Sequence, residues 1–422
     1  MTLRPDVGAE ATVDFDHHSD EFNLNELAAN AELRRTCPVA WNERYGGFWF
    51  VTGYDAVEQV ARDGDTFAHK YEPNAADGID YQGELGVPRP EGQPALGIGE
   101  VDGPYHQALR RALASFFSPR AVQRMRPFTE QSVHWFLDQR IADGRMDLVI
   151  DYASPVPAIL TMKLMGLPYD NWRLYANLFH SVMAAPQGSD EYRAAISEVP
   201  AMMDGLLEFA TRRRAEPGDD LTSFLVRFEF EGERLGDAAL MDILWNLVAG
   251  AVDTTTSQTA LSLLHLATHP ELRLQLIARP ELYPSAADEF LRYFAVNQQL
   301  SRTVTRDVVL GGQPLRRNDR LVISWLAANH DEREFDDPGE VVLDRSPNRH
   351  LAFGLGPHRC IGSHLARTMF EVMVKAVLDR IPDYEVELDG VEEYLGNPSM
   401  TGLGRLPVTF TPGRSLGTSR PY

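Results

Sequence analysis

Towards the C-terminal end, a cysteine lies in a turn whose residue types suit metal–thiolate chemistry. Cys360 ends the run Phe353-Gly-Leu-Gly-Pro-His-Arg-Cys, and Gly362 follows it just before a helical pattern. A thiolate bound to haem iron needs a tight turn, N–H groups directed at the sulfur and shelter from water. Gly354 and Gly362 permit the turn and a close approach to the porphyrin, and Phe353 can shield the sulfur. We therefore predict that Cys360 is the axial ligand of a haem iron, which it tunes for O–O cleavage.

The alternative for Cys360 is a buried structural cysteine beside a glycine-rich turn, which is the usual place of a single cysteine. The pattern F-x-x-G-x-x-x-C-x-G arises by chance in roughly one chain in ten thousand of this length and an ordinary composition. This low frequency favours the haem ligand.

A second group of chemically capable residues interrupts an apolar helical pattern. Asp253, Thr254 and Thr255 follow the run Leu247-Val-Ala-Gly-Ala-Val. Hydroxyl and β-branched side chains compete with the helix backbone, so we expect a local opening that could hold water and dioxygen. The carboxyl and hydroxyl groups could then transfer protons. The alternative is an ordinary hydrogen-bonded Asp and Thr in a bent helix.

Two further spacings place charged side chains on one face of a helix. Arg292 comes three positions after Glu289. Arg110 comes four positions after His106, in a segment whose helix start is predicted at Asp102. A single pair of this kind is common on helix surfaces and identifies nothing by itself. The order of the pairs along the chain, together with the cysteine turn, is more informative.

In that order the motifs resemble the cytochrome P450 family, over a span from about Cys37 to Phe410. The sequence Asn329-His-Asp and the residue Arg345 also precede the cysteine turn as they do in the family. The resemblance implies a mainly α fold with a minor β part, arranged as the family's triangular prism. It also implies haem b (iron protoporphyrin IX) as cofactor, and insertion of one atom of dioxygen into a small organic substrate.

Residue roles follow from the same resemblance. Asp253 and Thr254 correspond to the catalytic pair that delivers protons to oxygen, and Glu289 and Arg292 to a structural pair. The positions that hold the haem propionates in the family correspond here to His106, Arg110, Arg302 and His358. One departure is Ala251, where the family more often has glycine, and it affects the width of the oxygen-binding groove.

The family positions also predict the walls of a substrate pocket. They correspond here to Leu96, Ile98, Phe179, Val248, Val252, Val296, Asn297, Met400 and Thr401. Asn297 stands where the family usually has an apolar residue. A buried amide without a partner costs about 1–3 kcal/mol, so we predict a polar group of the substrate, or an ordered water, beside it. Steroid, terpenoid, polyketide, peptide and aromatic substrates all remain open.

Helical periodicity dominates the elements that must position these residues. Apolar residues recur at three- and four-residue spacing in the segments 118–141, 190–215, 237–267, 284–294 and 363–381. Strand signals are short and lie at 48–51, 308–310, 321–323 and 408–410. The long Gly/Pro-rich stretch 71–104 predicts a functional loop. We expect one catalytic domain over residues 21–412, with flexible segments at 1–20 and 413–422.

The charge of the chain limits its partners. The 422 residues carry a net charge of −21, which argues against nucleic acid and anionic membranes. The first twenty residues contain no apolar run and the chain has only two cysteines, so we expect a cytoplasmic protein.

Two arginine-rich stretches without acidic residues, 106–129 and 345–370, stand out against the negative charge. We predict a docking patch for an acidic ferredoxin, formed by Arg111, Arg120, Arg124 and Arg359. No flavin, nicotinamide or iron–sulfur motif occurs in the sequence, so the reductase function must come from elsewhere. We expect NAD(P)H, a ferredoxin reductase and the ferredoxin to supply the electrons.

Two other functions remain open at this stage. One is a peroxide-driven haem–thiolate catalyst, and the other is a haem-binding sensor or carrier without turnover. The acid–alcohol pair Asp253–Thr254 counts against both, because neither needs proton delivery to dioxygen.

Overall fold

The computed structural model describes residues 11–186, 188–394 and 397–422. Helices contain 52% of the residues and strands 13%, which confirms the predicted mainly α class. The helices are α1 (Asp20–Leu24), α2 (Glu26–Thr36), α3 (Tyr54–Arg62), α4 (Gly103–Phe117), α5 (Pro119–Asp138), α6 (Pro155–Met165), α7 (Trp172–Ala184), α8 (Asp190–Ala215), α9 (Leu221–Leu225), α10 (Asp237–Thr268), α11 (Pro270–Ala278), α12 (Tyr283–Phe294), α13 (Trp325–Asn329) and α14 (Ser363–Arg380).

The strands are short. They are β1 (Thr12–Val13), β2 (Val39–Asn42), β3 (Phe48–Val51), β4 (Phe67–Ala68), β5 (Tyr71–Glu72), β6 (Tyr81–Gln82), β7 (Arg145–Asp147), β8 (Glu229–Phe230), β9 (Glu233–Arg234), β10 (Gln299–Val304), β11 (Val308–Leu310), β12 (Gln313–Leu315), β13 (Arg320–Ser324), β14 (Glu385–Val386), β15 (Glu392–Glu393), β16 (Leu403–Arg405) and β17 (Pro407–Thr409). Each of the five predicted helical segments and four predicted strands coincides with one of these elements within a few residues.

The largest sheet joins distant parts of the chain in the order β1-β2-β3-β13-β10-β4. Strand β13 is parallel to β3, with Leu321 opposite Trp49, and antiparallel to β10, with Leu321 opposite Arg302. This register fixes Arg302, which is almost fully buried, on a central strand.

Helix α10 runs through the main hydrophobic core and packs against α6, α7, α12 and α14. Its sequence is apolar on most sides, as expected for a helix surrounded by protein. In the described part of the chain, no helix is both long enough and apolar enough to cross a bilayer. The central place of α10 brings the Asp253 region into the interior.

The described residues of the two segments predicted to be flexible make backbone contacts with the rest of the chain. Thr12 pairs with Trp41 in a parallel bridge between β1 and β2. At the other end, the carboxylate of Asp138 accepts the backbone N–H groups of Leu416 and Thr418, at 3.0 Å each. These backbone contacts were not visible as a sequence pattern. Residues 1–10 of the predicted N-terminal segment lie outside the described residues.

Candidate active site

The cysteine turn folds back on itself immediately before α14. The backbone N–H of Cys360 donates to the Phe353 carbonyl at 2.7 Å, which closes the turn. Gly354 and Gly356 have φ values of +64° and +66°, in the left-handed region that favours glycine. A Cβ at Gly356 would also lie 2.4 Å from the carbonyl oxygen of Ala61 in α3. The turn therefore needs glycine both for its conformation and for its packing.

The sulfur of Cys360 is open to an internal cavity, while protein surrounds it on the other sides. Burial raises the pKa of the thiol, whereas the Gly362 N–H and the charges of Arg110, Arg359 and Arg367 act to lower it. Phe353 also lines the cavity, and the guanidinium of Arg367 covers its ring at 4.7 Å. The predicted donors and shield are thus grouped around the sulfur.

Three histidine rings form a stack beside the turn. The ring of His358 lies 3.5 Å from that of His69 and 3.8 Å from that of His106, all nearly parallel. His358 Nε2 is 2.8 Å from a carboxylate oxygen of Asp102. His358 and His69 line the cavity, but His106 lies behind them and does not. The buried Nε2 of His106 has no hydrogen-bond partner among the described residues, so its contact with the cofactor stays a prediction.

Arg302 and Arg110 reach the cavity from different elements. Arg302 on β10 is 2% exposed, and its Nε lacks a hydrogen-bond partner among the described residues. Burial lowers its pKa to about 10, so it remains charged at neutral pH. Arg110 on α4 donates from Nη2 to the Arg359 carbonyl at 2.5 Å, which ties α4 to the cysteine turn. Both guanidinium groups line the same cavity as Cys360.

The cavity has a volume of about 400 Å³ and mainly apolar walls. Six of the nine predicted pocket residues line it, namely Leu96, Ile98, Phe179, Val296, Asn297 and Met400. Val248, Val252 and Thr401 do not line this cavity. Val248 and Val252 are each 1% exposed and pack into the hydrophobic core on another face of α10, because a helix turns its successive residues away from one another.

The loop 71–104 borders the cavity and is held against α10. The Asn246 side-chain oxygen accepts the N–H groups of Ile98 and Gly99 at 3.2 and 3.1 Å. A Cβ at Gly97 would lie 2.4 Å from the backbone nitrogen of Ile243, so only glycine allows this approach. The predicted loop thus forms part of the cavity wall and contacts α10.

Asp253 and Thr254 lie on α10 beside the cavity, but the predicted opening of the helix is absent, because α10 is continuous from 237 to 268. The Thr254 hydroxyl donates to the Gly250 carbonyl at 2.8 Å, four residues earlier. This bond satisfies the hydroxyl within the helix, through the carbonyl four residues earlier. Asp253 is 2% exposed, and its two carboxylate oxygens each accept from the Tyr394 hydroxyl at 2.9 Å.

Glu289 and Arg292 form a fully buried ion pair outside the cavity. Arg345 Nε also donates to both Glu289 oxygens, at 3.1 and 3.0 Å. The positions of these side chains agree with the structural role expected for them.

Apart from Arg110, which bonds the Arg359 carbonyl, the arginines of the two acid-free stretches divide into two groups. Arg126, Arg345, Arg349 and Arg367 form ion pairs with Glu371, Glu289, Glu334 and Asp288. Within the described ranges, no such ion pair is found for Arg111, Arg120, Arg124 or Arg359. The first three of these are exposed.

Several residues at the site were not predicted from the sequence. His69 and Glu84 line the cavity with Arg302, and Glu84 lies 2.9 Å from His69 Nδ1. Tyr394 and His180 contact Asp253. None of these residues lies in a local motif, and each reaches the site from a separate element, so no sequence pattern marked it.

Comparison with known proteins agrees with this geometry. A family model described as Cytochrome P450 matches residues 274–410. The mycinamicin IV hydroxylase/epoxidase of Micromonospora griseorubida is 33% identical over 372 residues, which cover 86% of this chain and 90% of that protein. The vitamin D3 dihydroxylase of Streptomyces griseolus is 31% identical over 369 residues, covering 86% of this chain and 87% of that protein.

Solved structures show the same fold. The cytochrome P450 PksS of Bacillus subtilis matches with a TM-score of 0.82 at 27% identity, covering 94% of this chain and 100% of that one. A mutant of P450 EryK in complex with erythromycin B matches with a TM-score of 0.81, also at 27% identity, covering 96% of this chain and 99% of that one. Given these relatives and the cysteine turn, the chain belongs to the cytochrome P450 family of haem-containing monooxygenases.

Proposed function

We propose that this monooxygenase binds haem b through the Cys360 thiolate and inserts one oxygen atom into a small, mainly apolar organic substrate. The observation that supports it most is that Cys360, Arg302 and Thr254 line the same cavity. Residues 21–412 act in this proposal as one catalytic domain, in the cytoplasm.

The residues present fit a haem. Arg302 Nε is a buried donor without a partner among the described residues, which suits a propionate oxygen. Arg110 and His358 line the same cavity and would hold the propionates with it, together with His106, which stacks on His358 and has a buried Nε2 without a partner among the described residues. When bound, the haem supplies oxygen activation, which thiolate ligation favours.

Asp253 and Thr254 are assigned to proton delivery. The Thr254 hydroxyl is at the cavity and can donate there after releasing the Gly250 carbonyl. Asp253, next to it in the chain, can exchange a proton with it through water.

The substrate meets a mainly apolar wall with a few amides. Asn297 lies on the cavity, and its backbone pairs with Met400 in an isolated bridge. Relatives are named for mycinamicin and vitamin D3 oxidation, so macrolides and secosteroids are the first classes to screen.

In this proposal a ferredoxin supplies the electrons to the enzyme, and a ferredoxin reductase reduces the ferredoxin with NAD(P)H. The exposed arginines 111, 120 and 124 lie on α4 and α5, and Arg110 ties α4 to the cysteine turn. The positive charge of these arginines would attract an acidic ferredoxin, and complementary charges speed the association of two proteins.

The test of the haem assignment is the spectrum of the dithionite-reduced protein under carbon monoxide. We expect a Soret band far to the red of that of imidazole-ligated haem, in wild type and in Cys37→Ser, because Cys37 is buried elsewhere and its thiol donates to the Val39 carbonyl. Cys360→Ser should lose this band. A wild-type band at the imidazole position, or a shifted band retained by Cys360→Ser, would refute the assignment.

A further inference from the structure

The carboxylate of Asp253 is held by two side chains that come from other elements. The Tyr394 hydroxyl lies 2.9 Å from each carboxylate oxygen. His180 Nδ1 lies 3.1 Å from the Tyr394 hydroxyl and 3.4 Å from Asp253 Oδ1. The other ring nitrogen of His180, Nε2, lies 3.0 Å from the Gly404 carbonyl oxygen. Asp253, Tyr394 and His180 therefore form a connected group, which we call the Asp253 cluster.

The surrounding backbone is shaped to seat the tyrosine. The Tyr394 N–H donates to the Gly402 carbonyl at 3.0 Å. A Cβ at Gly402 would lie 2.5 Å from the Tyr394 ring and 2.3 Å from the Ser257 hydroxyl. Glycine at 402 thus lets the ring lie against α10, where it reaches Asp253.

The charges in the cluster favour a protonated histidine. His180 Nε2 faces the Gly404 carbonyl, which can only accept a hydrogen bond, so Nε2 carries a proton. With a second proton on Nδ1, the ring is cationic and donates from both nitrogens. Burial by itself lowers the pKa of His180, but its contacts with Asp253, the Gly404 carbonyl and the charge of Asp147 together raise it above the ordinary value. Asp147 in turn pairs with Arg405 at 3.1 Å. Burial, together with the charge of Asp253, raises the pKa of Tyr394 well above its usual range, so it stays a donor.

We propose that His180 and Tyr394 are positioning residues, which hold Asp253 and set the pH range over which it delivers protons towards Thr254. This inference rests on the proposed role of Asp253 in proton delivery. Tyr394 fixes the orientation of the carboxylate. Protonated His180 passes its Nδ1 proton to Asp253 Oδ1 and becomes neutral imidazole, with its remaining proton on Nε2. A proton from solvent then restores the cation, since the His180 side chain is 13% exposed.

The first test measures the cluster without turnover. Histidine labelled with ¹⁵N reports protonation in the ferrous carbon monoxide form, which is diamagnetic. We expect the His180 pKa to lie above the ordinary value in wild type and in Tyr394→Phe, and to fall in Asp253→Asn, which removes the negative charge. An unchanged His180 pKa in Asp253→Asn would overturn the inference.

The second test measures product formed per NADH as a function of pH, with a surrogate ferredoxin system and a substrate from the macrolide and secosteroid screen. In wild type this ratio should fall as the pH rises through the His180 pKa found by NMR. His180→Gln should lower the ratio about 100-fold, the lower end of the effect of proton transfer by a positioned side chain, and should remove the inflection. Tyr394→Phe should lower the ratio but keep the inflection.

Matched controls are His134→Gln on α5 and Tyr175→Phe on α7, which lie outside the cluster and should keep both the ratio and the inflection. If Asp253→Asn lowers the ratio while His180→Gln and Tyr394→Phe behave as wild type, the inference fails and the role of Asp253 stands. If Asp253→Asn also behaves as wild type, the proposed role of Asp253 fails together with the inference.

Discussion

The guanidinium of Arg292 donates from Nε and Nη2 to the two carboxylate oxygens of Glu289, each at 2.9 Å, and neither side chain is exposed. The remaining Arg292 nitrogen, Nη1, donates to the carbonyls of Asn329 and Pro338 at 2.9 and 2.8 Å. A buried ion pair is favourable only when its other hydrogen-bonding groups are also satisfied, as they are here. The pair therefore ties α12 to the segments that precede the cysteine turn.

Removing one partner of this pair should destabilise the protein strongly. Arg292→Met leaves the Glu289 carboxylate buried with fewer donors, which typically costs about 3–5 kcal/mol. Urea denaturation followed by circular dichroism measures the free energy of unfolding. Glu208→Gln, at an exposed i,i+4 pair with Arg212, is the control and should match wild type. A loss below about 1 kcal/mol for Arg292→Met would contradict the buried-pair account.

A buried carboxyl should make stability depend on pH. Burial raises the pKa of Glu26 to about 7, although Gln299 and Asn30 donate to it. Because the pKa of Glu26 is higher in the folded protein, the contribution of Glu26 to stability is fully present below its pKa in the unfolded chain, near 4.5. This contribution is lost as the pH rises towards 7. The loss amounts to about 3 kcal/mol when the unfolded carboxyl is ionised and the folded one is not.

Glu26→Gln should therefore remove most of this pH dependence and be more stable than wild type at pH values above 7. Thermal unfolding at a series of pH values checks this, with Glu21→Gln at an exposed position of α1 as control. Parallel stability curves for Glu26→Gln and wild type between these pH values would show that Glu26 does not titrate in this range.

Arg302 should contribute to haem retention. Arg302→Gln removes the buried cation at the cavity, and a hydrogen bond to a charged group contributes about 1.5–3 kcal/mol. We expect haem to transfer to a haem-scavenging protein about 10- to 100-fold faster than from wild type. Arg306→Gln, which changes a largely exposed arginine beyond the same strand, is the control. Equal transfer rates for Arg302→Gln and wild type would argue against a propionate contact.

Asn297 should influence which substrates bind. Asn297→Val should weaken ligands that place a polar group beside the amide by about 1–3 kcal/mol, and should leave purely apolar ligands unaffected or tighter. Spectral titration of screened compounds gives the dissociation constants, and product analysis gives the regioselectivity. Leu300→Val changes the same wall without changing its polarity and is the control. If both affinity and regioselectivity stay unchanged in Asn297→Val, the polar contact is absent.

Charge reversal on the exposed arginines should slow reduction by an acidic ferredoxin. We expect Arg111→Glu with Arg124→Glu to reduce the association rate at least about tenfold at low salt, because steering accelerates such encounters by 10–10³. The effect should diminish at high ionic strength, where charges are screened. Arg212→Glu on α8 is the control. Stopped-flow reduction that is insensitive to both salt and charge reversal would remove the basis for the docking patch.

Local patterns were sufficient to predict the long elements and the cysteine turn. The helix 237–267 and the strand 48–51 have strong periodic or β-branched and aromatic patterns, and each coincides with one element of the structure. Val248 and Val252, which were predicted to line the pocket but pack into the core, lie on a helix that is apolar on most sides. Such a helix does not show from its sequence which face borders a cavity and which packs into the core.

By itself, the sequence determined the family, the mainly α fold class, the thiolate candidate Cys360 and the acid–alcohol pair, because each depends on residues that are close together in the chain. Only the tertiary structure decided that Tyr394 and His180 surround Asp253 and that His106 stacks behind His358. The physical reason is distance along the chain. Contacts between α7, α10 and the segment after β15 are set by packing of the whole core, and no short segment encodes them.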